Sequence, residues 1–205
     1  MTFTAPDLAA VCAALAAGRL IVFPTDTVYG LAALAYNADA VRALYALKRR
    51  PHHLAIPVMI AETAQIERVA RPLPGFAALA AHFWPGALTI ILPRVPALPD
   101  IVTAGGETVA VRIPNHPFAL DILRAIDEPL AVTSANLSGR PAALTAAEAH
   151  SQLGNFPLIL DGGPALDDAV STIIDLTQKP LRVLRPGPIS AEALAAVLER
   201  PVLAE

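Results

Sequence analysis

ALTIILPRVPALPDIVTAGGETVAVRI, residues 87–113, decides the architecture. Two apolar, β-branched runs, 87–92 and 108–113, flank a stretch rich in proline and glycine that shows no helical period. Strands that follow one another through a loop, with no crossover helix between them, join a mixed sheet rather than an all-parallel one. The pattern recurs between residues 158 and 184, where 158–160, 172–176 and 181–184 read as successive strands. Outward from these, 19–23, 56–60 and 130–133 are further strand-like runs.

Helical patterns fall between several of the strands. One starts behind Pro6 and Asp7 and stops at Gly18. Another spans 39–48, with Val41, Leu44, Tyr45 and Leu47 at helical spacing and Pro51 ending it. The rest cover 61–70, 75–83, 117–126, a stretch opened by the capping box Thr145-x-x-Glu148, and 190–198 behind a Ser190 cap. The expected fold is α/β of the α+β type: one domain over 1–205, core about 7–199, with a twisted mixed sheet flanked by helices around an open concave cavity. Residues 200–205 read as a loosely held tail. A doubly wound nucleotide fold is disfavoured.

At 205 residues and 55% hydrophobic, the chain can bury a core without disulfides or a structural metal. Its net charge of -3 gives no global basic field, so an anion site must be a local cluster. The single Cys12 cannot form an internal disulfide and reads as core. Residues 1–7 lack the basic and apolar regions of a secretion signal, and no apolar run approaches the roughly 18 residues of a membrane span. A soluble, cytoplasmic protein without membrane contact is expected.

Neither G-x-x-x-x-G-K-[ST] nor a G-x-G-x-x-G after a strand occurs, so a nucleotide needs another phosphate site. Candidate cations are Lys48, Arg49 and Arg50 where a helix gives way to a loop, Arg112 in an apolar strand, and Arg185 at another strand end. Surface decoration is the simple reading of each, and the strongest for Arg49. Lys48 and Arg50, two apart at the helix end, are expected to project into one cleft. Arg112 needs an anionic partner to offset its desolvation, which either an acid of this chain or a bound carboxylate or phosphate can supply. Thr133-Ser134-Ala135-Asn136 places hydroxyl and amide groups at a strand end, although plain turn-making accounts for it, as it does for Asp161-Gly-Gly-Pro164. The histidines at 52, 53, 82, 116 and 150 form no metal-ligand spacing, and no nucleophile elbow is present.

PTDTVYGL at 24–31, Lys48-x-Arg50-Pro51, FWPGALT at 83–89, TVAVRIPNHP at 108–117, SANLSG at 134–139, DGGP at 161–164, STIIDL at 171–176 and LRPG at 184–187 together resemble the YrdC/Sua5 family, in the family's order and over nearly the whole chain. The resemblance implies a nucleotidyltransferase that makes L-threonylcarbamoyladenylate from L-threonine, bicarbonate and ATP with release of pyrophosphate, for N6-threonylcarbamoyladenosine (t6A) in tRNA. It assigns Lys48, Arg50, Ser134, Asn136 and Arg185 to ATP, with Lys48 and Arg50 as catalytic cations. It assigns Thr27, Thr108, Arg112 and Ser171 to L-threonine, with Mg2+ carried on ATP and no metal held by the protein itself.

The same resemblance implies a transient handover to the tRNA threonylcarbamoyl transferase complex, a weak tRNA contact, and the short form of the family. A YrdC-like paralogue without synthase activity and an RNA-binding protein are the alternatives. Leu54, Ala55, Met59 and Ala87 depart from residues often found at their positions in the family, and Leu54 and Ala55 are expected to cost one ATP contact.

Overall fold

Sequence capping signals set the helix boundaries. In the computed structural model, which describes residues 8–165 and 170–204, Asn37, Thr145 and Ser190 each accept a hydrogen bond from the backbone N–H three residues on. Glu148 completes the 145 signal by accepting from Leu144 N at 2.7 Å. The Pro6-Asp7 start of the first helix and the outermost ends of the expected domain lie outside the described residues.

In chain order the elements are α1 (Leu8–Ala16), β1 (Ile21–Phe23), β2 (Gly30–Leu34), α2 (Ala38–Lys48), β3 (Val58–Met59), a 3-10 helix (Thr63–Arg68), α3 (Phe76–Phe83), β4 (Leu88–Pro93) and α4 (Asp100–Thr103). There follow β5 (Thr108–Arg112), α5 (Pro117–Ile126), β6 (Leu130–Ser134), α6 (Ala146–Leu153), β7 (Leu158–Ile159), β8 (Thr172–Asp175), β9 (Leu181–Arg185), α7 (Ala191–Leu198) and β10 (Val202–Leu203).

The strands form one ten-stranded sheet in the order β10-β9-β8-β4-β5-β3-β6-β2-β1-β7. It is mixed, as the 87–113 stretch requires: β4 and β5 run antiparallel with Ile90 opposite Val111, whereas β4 pairs parallel with β8 and β3 with β5. Four expectations change. The expected helix over 61–70 is a 3-10 helix confined to Thr63–Arg68, the loop between β4 and β5 contains the single turn α4, and β2 was not foreseen. The C-terminal residues are not a loose tail, because Val202 and Leu203 pair parallel with Leu181 and Arg182.

The two halves of the sheet are covered differently. Along β2, Leu31 and Ala33 face one apolar cluster with α2, while Ala32 and Leu34 face another with α1 and α5. Strands β4, β5, β8 and β9 join an apolar cluster through one face only, with Ile90, Val111, Ile174 and Val183. Side chains alternate across a strand, so Thr89, Ala110, Arg112 and Ile173 belong to the opposite face, which lines the cleft, and a register shift between β8 and β9 turns Arg185, paired with Ile173, to that face as well. Where two-sided cover becomes one-sided, the sheet has a concavity. No helix among the described residues is long and apolar enough to cross a membrane.

Candidate functional site

The concavity is a cleft of about 300 Å³ lined by groups from seven stretches of the chain, among them Thr27, Arg50, Thr89, Arg112, Ser134, Ser171 and Arg185. Three guanidinium groups therefore share one cavity. Among the described residues Asp26 is the one carboxylate paired with any of them, 2.7 Å from Arg112 Nη2. The surplus of positive charge is local, in a chain whose net charge is negative.

Arg112 is fixed from three sides. Its Nε donates to Gly86 O at 2.9 Å, Nη1 to Thr27 Oγ1 at 3.0 Å and Nη2 to Asp26. The partner that its burial demands is thus an acid of this chain, and the turn after β1 supplies both Asp26 and Thr27. Thr25 organises that turn by bonding to Thr27 Oγ1 at 3.0 Å and donating to Val28 O at 2.7 Å. A guanidinium carries five N–H groups, so two remain on Arg112 for a ligand.

Arg185, ending β9, clamps Ser171 by donating to its carbonyl from Nε and Nη2 and to its Oγ from Nη2 at 2.9 Å. Burial, and after it the charge of Arg112, lower the pKa of Arg185 from its ordinary value. Two cations that repel each other in a half-buried cleft define a place where an anion is stabilised.

Arg50 is held by backbone alone: Nε donates to Leu54 O at 3.0 Å and Nη2 to Ala55 O at 2.8 Å. Tyr45 Oη donates to the same Leu54 carbonyl at 2.8 Å. Because carbonyls do the holding, the Leu54 and Ala55 side chains leave the Arg50 anchor intact. Met59 and Ala55 line the cleft, which therefore has an apolar patch there.

Lys48 behaves differently from the expectation that it would share the cleft with Arg50. It is 2% exposed and lies behind the wall, with Nζ donating to Ser134 O at 2.6 Å, Asn136 O at 3.0 Å and Asn136 Oδ1 at 2.6 Å, and reaching Ser134 Oγ at 3.3 Å. The cause is Arg49, which ends α2 in the left-handed conformation at φ 53° and turns the chain, so residues 48 and 50 leave in different directions. Arg49 itself is exposed. Burial, and then the charge of Arg50, push the Lys48 ammonium down to about 7.

Asn136 is buried beside Lys48 and closes the loop by donating from Nδ2 to Leu137 O and Arg140 O. Ser134 alone of this loop pair reaches the cleft. Thr108 lies outside the lining. It opens β5 opposite Pro93, four residues and so roughly 13 Å along the strand from Arg112.

Sequence reasoning assigned no role to Tyr29, Thr25 or Thr89, all of which line the cleft. Tyr29 Oη donates to Gly163 O, tying the DGGP turn to the cleft wall. Its burial, and then the charge of Asp161, raise the phenol to about 12. Thr89 Oγ1 lies 2.7 Å from Ser171 Oγ. All three stood inside quoted strings, and the signal that finds them is a polar side chain at a position of an apolar strand or turn that a Val or Phe would fill.

No group of three or more His, Cys, Asp or Glu side chains converges among the described residues. Fold and site together define an α/β protein with an arginine-lined cleft. The chain matches the Sua5/YciO/YrdC family model, described as telomere recombination, over residues 13–187, and belongs to that family.

It is 44% identical over 196 residues to the threonylcarbamoyl-AMP synthase of Bacillus subtilis, covering 94% of this chain and 57% of that one. It superimposes on Pyrococcus abyssi Sua5 complexed with L-threonine with a TM-score of 0.90 at 37% identity, covering 96% of this chain and 58% of that one. Escherichia coli YciO shares the fold, with a TM-score of 0.83 at 23% identity. The chain thus spans less than two thirds of the Bacillus and Pyrococcus proteins.

Proposed function

We propose that this chain is a threonylcarbamoyl-AMP synthase, a nucleotidyltransferase serving t6A formation in tRNA. The observation that carries the reading is the convergence of Arg50, Arg112 and Arg185 on one cleft beside the hydroxyls of Thr27, Ser134 and Ser171. The chemistry needs such a place. Threonine's ammonium group gives up a proton, and the free amine and bicarbonate then combine with loss of water to give a carbamate. One carbamate oxygen then attacks the α-phosphorus of ATP, the bond to the β-phosphate bridge breaks, and pyrophosphate leaves with that electron pair. Two anions must meet, so positioning and fixed positive charge supply most of the acceleration.

In this reading Arg112 and Thr27 hold the threonine carboxylate, with Ser171 at the same subsite. Arg50, Ser134 and Arg185 face the triphosphate, which arrives as its magnesium complex. Lys48 acts from behind the wall, fixing Ser134 and Asn136 and adding its charge to the nucleotide side. The product passes transiently to the tRNA threonylcarbamoyl transferase complex in the cytoplasm, with at most weak contact to tRNA itself, since a net charge of -3 provides little attraction for its backbone.

The test is pyrophosphate release by the purified chain with ATP, magnesium and bicarbonate, with and without L-threonine. Threonine-dependent release, lowered about a hundredfold or more in Arg50→Ala, is the expected result. Absence of release above background, or release indifferent to threonine, overturns the proposal. A salt-sensitive shift of tRNA without turnover points instead to an RNA-binding role.

A further inference from the structure

Thr89 occupies a position where shape alone would equally accept valine, second in β4 and 2% exposed. It faces the cleft, and its Oγ1 lies 2.7 Å from Ser171 Oγ, across the parallel pair β4 and β8. Ser171 Oγ also receives a hydrogen bond from Arg185 Nη2 at 2.9 Å. A hydroxyl has one hydrogen and two lone pairs, and a guanidinium accepts nothing. Two hydroxyl hydrogens are therefore present and only one is used between the two residues. If Thr89 is the donor, both lone pairs of Ser171 are filled, and the Ser171 hydrogen can point only at an occupant of the cleft. Donation from the Arg185 cation into the same oxygen polarises that hydrogen further.

We infer that Thr89 is a positioning residue for the amino-acid substrate: its hydroxyl donates to Ser171 Oγ, and Ser171 gives its own hydrogen to an oxygen of that substrate. The inference rests on the synthase reading and adds to it the residue that orients Ser171. Arg112, tied to Asp26, Thr27 and Gly86, has two N–H groups for one carboxylate. The oxygen met by Ser171 then belongs either to that carboxylate or to the β-hydroxyl of threonine.

The experiment is calorimetric titration of the full chain with L-threonine in the absence of ATP, alongside steady-state turnover. Thr89→Val is expected to weaken threonine binding about five- to tenfold, the effect of one ordinary hydrogen bond, and to raise KM for threonine while kcat and the affinity for ATP stay within about twofold. Thr89→Ser restores binding. In a Ser171→Ala background Thr89→Val adds less than about twofold, because Thr89 acts through Ser171. L-2-aminobutyrate separates the two oxygens: an equal loss with this ligand assigns the carboxylate, and no loss assigns the β-hydroxyl.

The inference is overturned if the folded valine variant binds threonine like the parent chain, if Thr89→Ser does not restore binding, or if the losses in the double variant are additive. Should the valine variant unfold, Thr89→Ala carries the same comparison. A parent chain that binds no L-threonine overturns the synthase reading and this inference with it, whereas normal binding with an indifferent Thr89→Val overturns the inference alone.

Discussion

Lys48 shows how a single buried charge can serve a site from outside it. Four oxygens of residues 134 and 136 surround its ammonium, so the loop that ends β6 is held in place by one side chain. Lys48→Met keeps the bulk and removes the donor, leaving buried acceptors dry. Chemical denaturation should show a loss of about 2–3 kcal/mol, the scale of charge-assisted hydrogen bonds left unmade.

The pH dependence has a definite sign. In the folded chain Lys48 gives up its proton near pH 7, whereas unfolded it keeps the proton up to about its ordinary 10.5. Across that window the unfolded state holds more protons, so this group makes the fold more stable as pH rises, and its contribution is lost as pH falls through 7. Denaturation midpoints measured from pH 7 to 10 should rise less steeply in Lys48→Met than in the parent chain.

The residue scale also marks where sequence reading stops. Arg112 within VAVRI was legible as a cation needing a partner, because a charge in an apolar strand must be compensated. Its partner Asp26 was not legible, since the pairing joins residues 86 apart in the chain. The direction of Lys48 turned on the left-handed φ of Arg49, a conformation uncommon for arginine and invisible in a run of three basic residues.

At the scale of elements, the strands with β-branched runs were readable and β2 was not. GLAAL contains no β-branched residue, and because both its faces are buried it shows no alternation. The 3-10 helix at Thr63–Arg68 kept a helical period but too few residues for stable α-turns.

One close contact between elements offers a sharp test. A Cβ on Gly187 would stand 2.4 Å from Thr172 N and 2.6 Å from Val170 O, both backbone atoms that cannot rotate away. Gly187→Ala should push the segment after β9 off the start of β8, lowering stability by about 1–3 kcal/mol in urea titration. Because Arg185 and Ser171 sit on those two segments, nucleotide binding should fall more than tenfold in the variant while it is still folded.

For the whole molecule, the sheet predicts its own order of opening. Amide exchange should be slowest in β2, β6, β4 and β5, which have strands on both sides, and fastest in β7 and β10 at the two edges. A charge-driven cleft in a chain of net charge -3 also predicts that ATP affinity weakens several-fold between about 0.05 M and about 0.5 M salt, measurable by titration.

The topology has a consequence for synthesis. β4 lies in the middle of the sheet, yet its parallel neighbour β8 comes some eighty residues later in the chain; Ser171 directly precedes β8, and Arg185 ends β9. A ribosome that has reached Gly163 has made Lys48, Arg50, Arg112 and Asn136 but neither of those two residues. The nascent chain at that point has an unpaired edge at β4 and an unclosed cleft. Truncated products therefore lack a complete cleft and expose an edge prone to sticking to other chains, and the cleft closes all at once with the last strands to be translated.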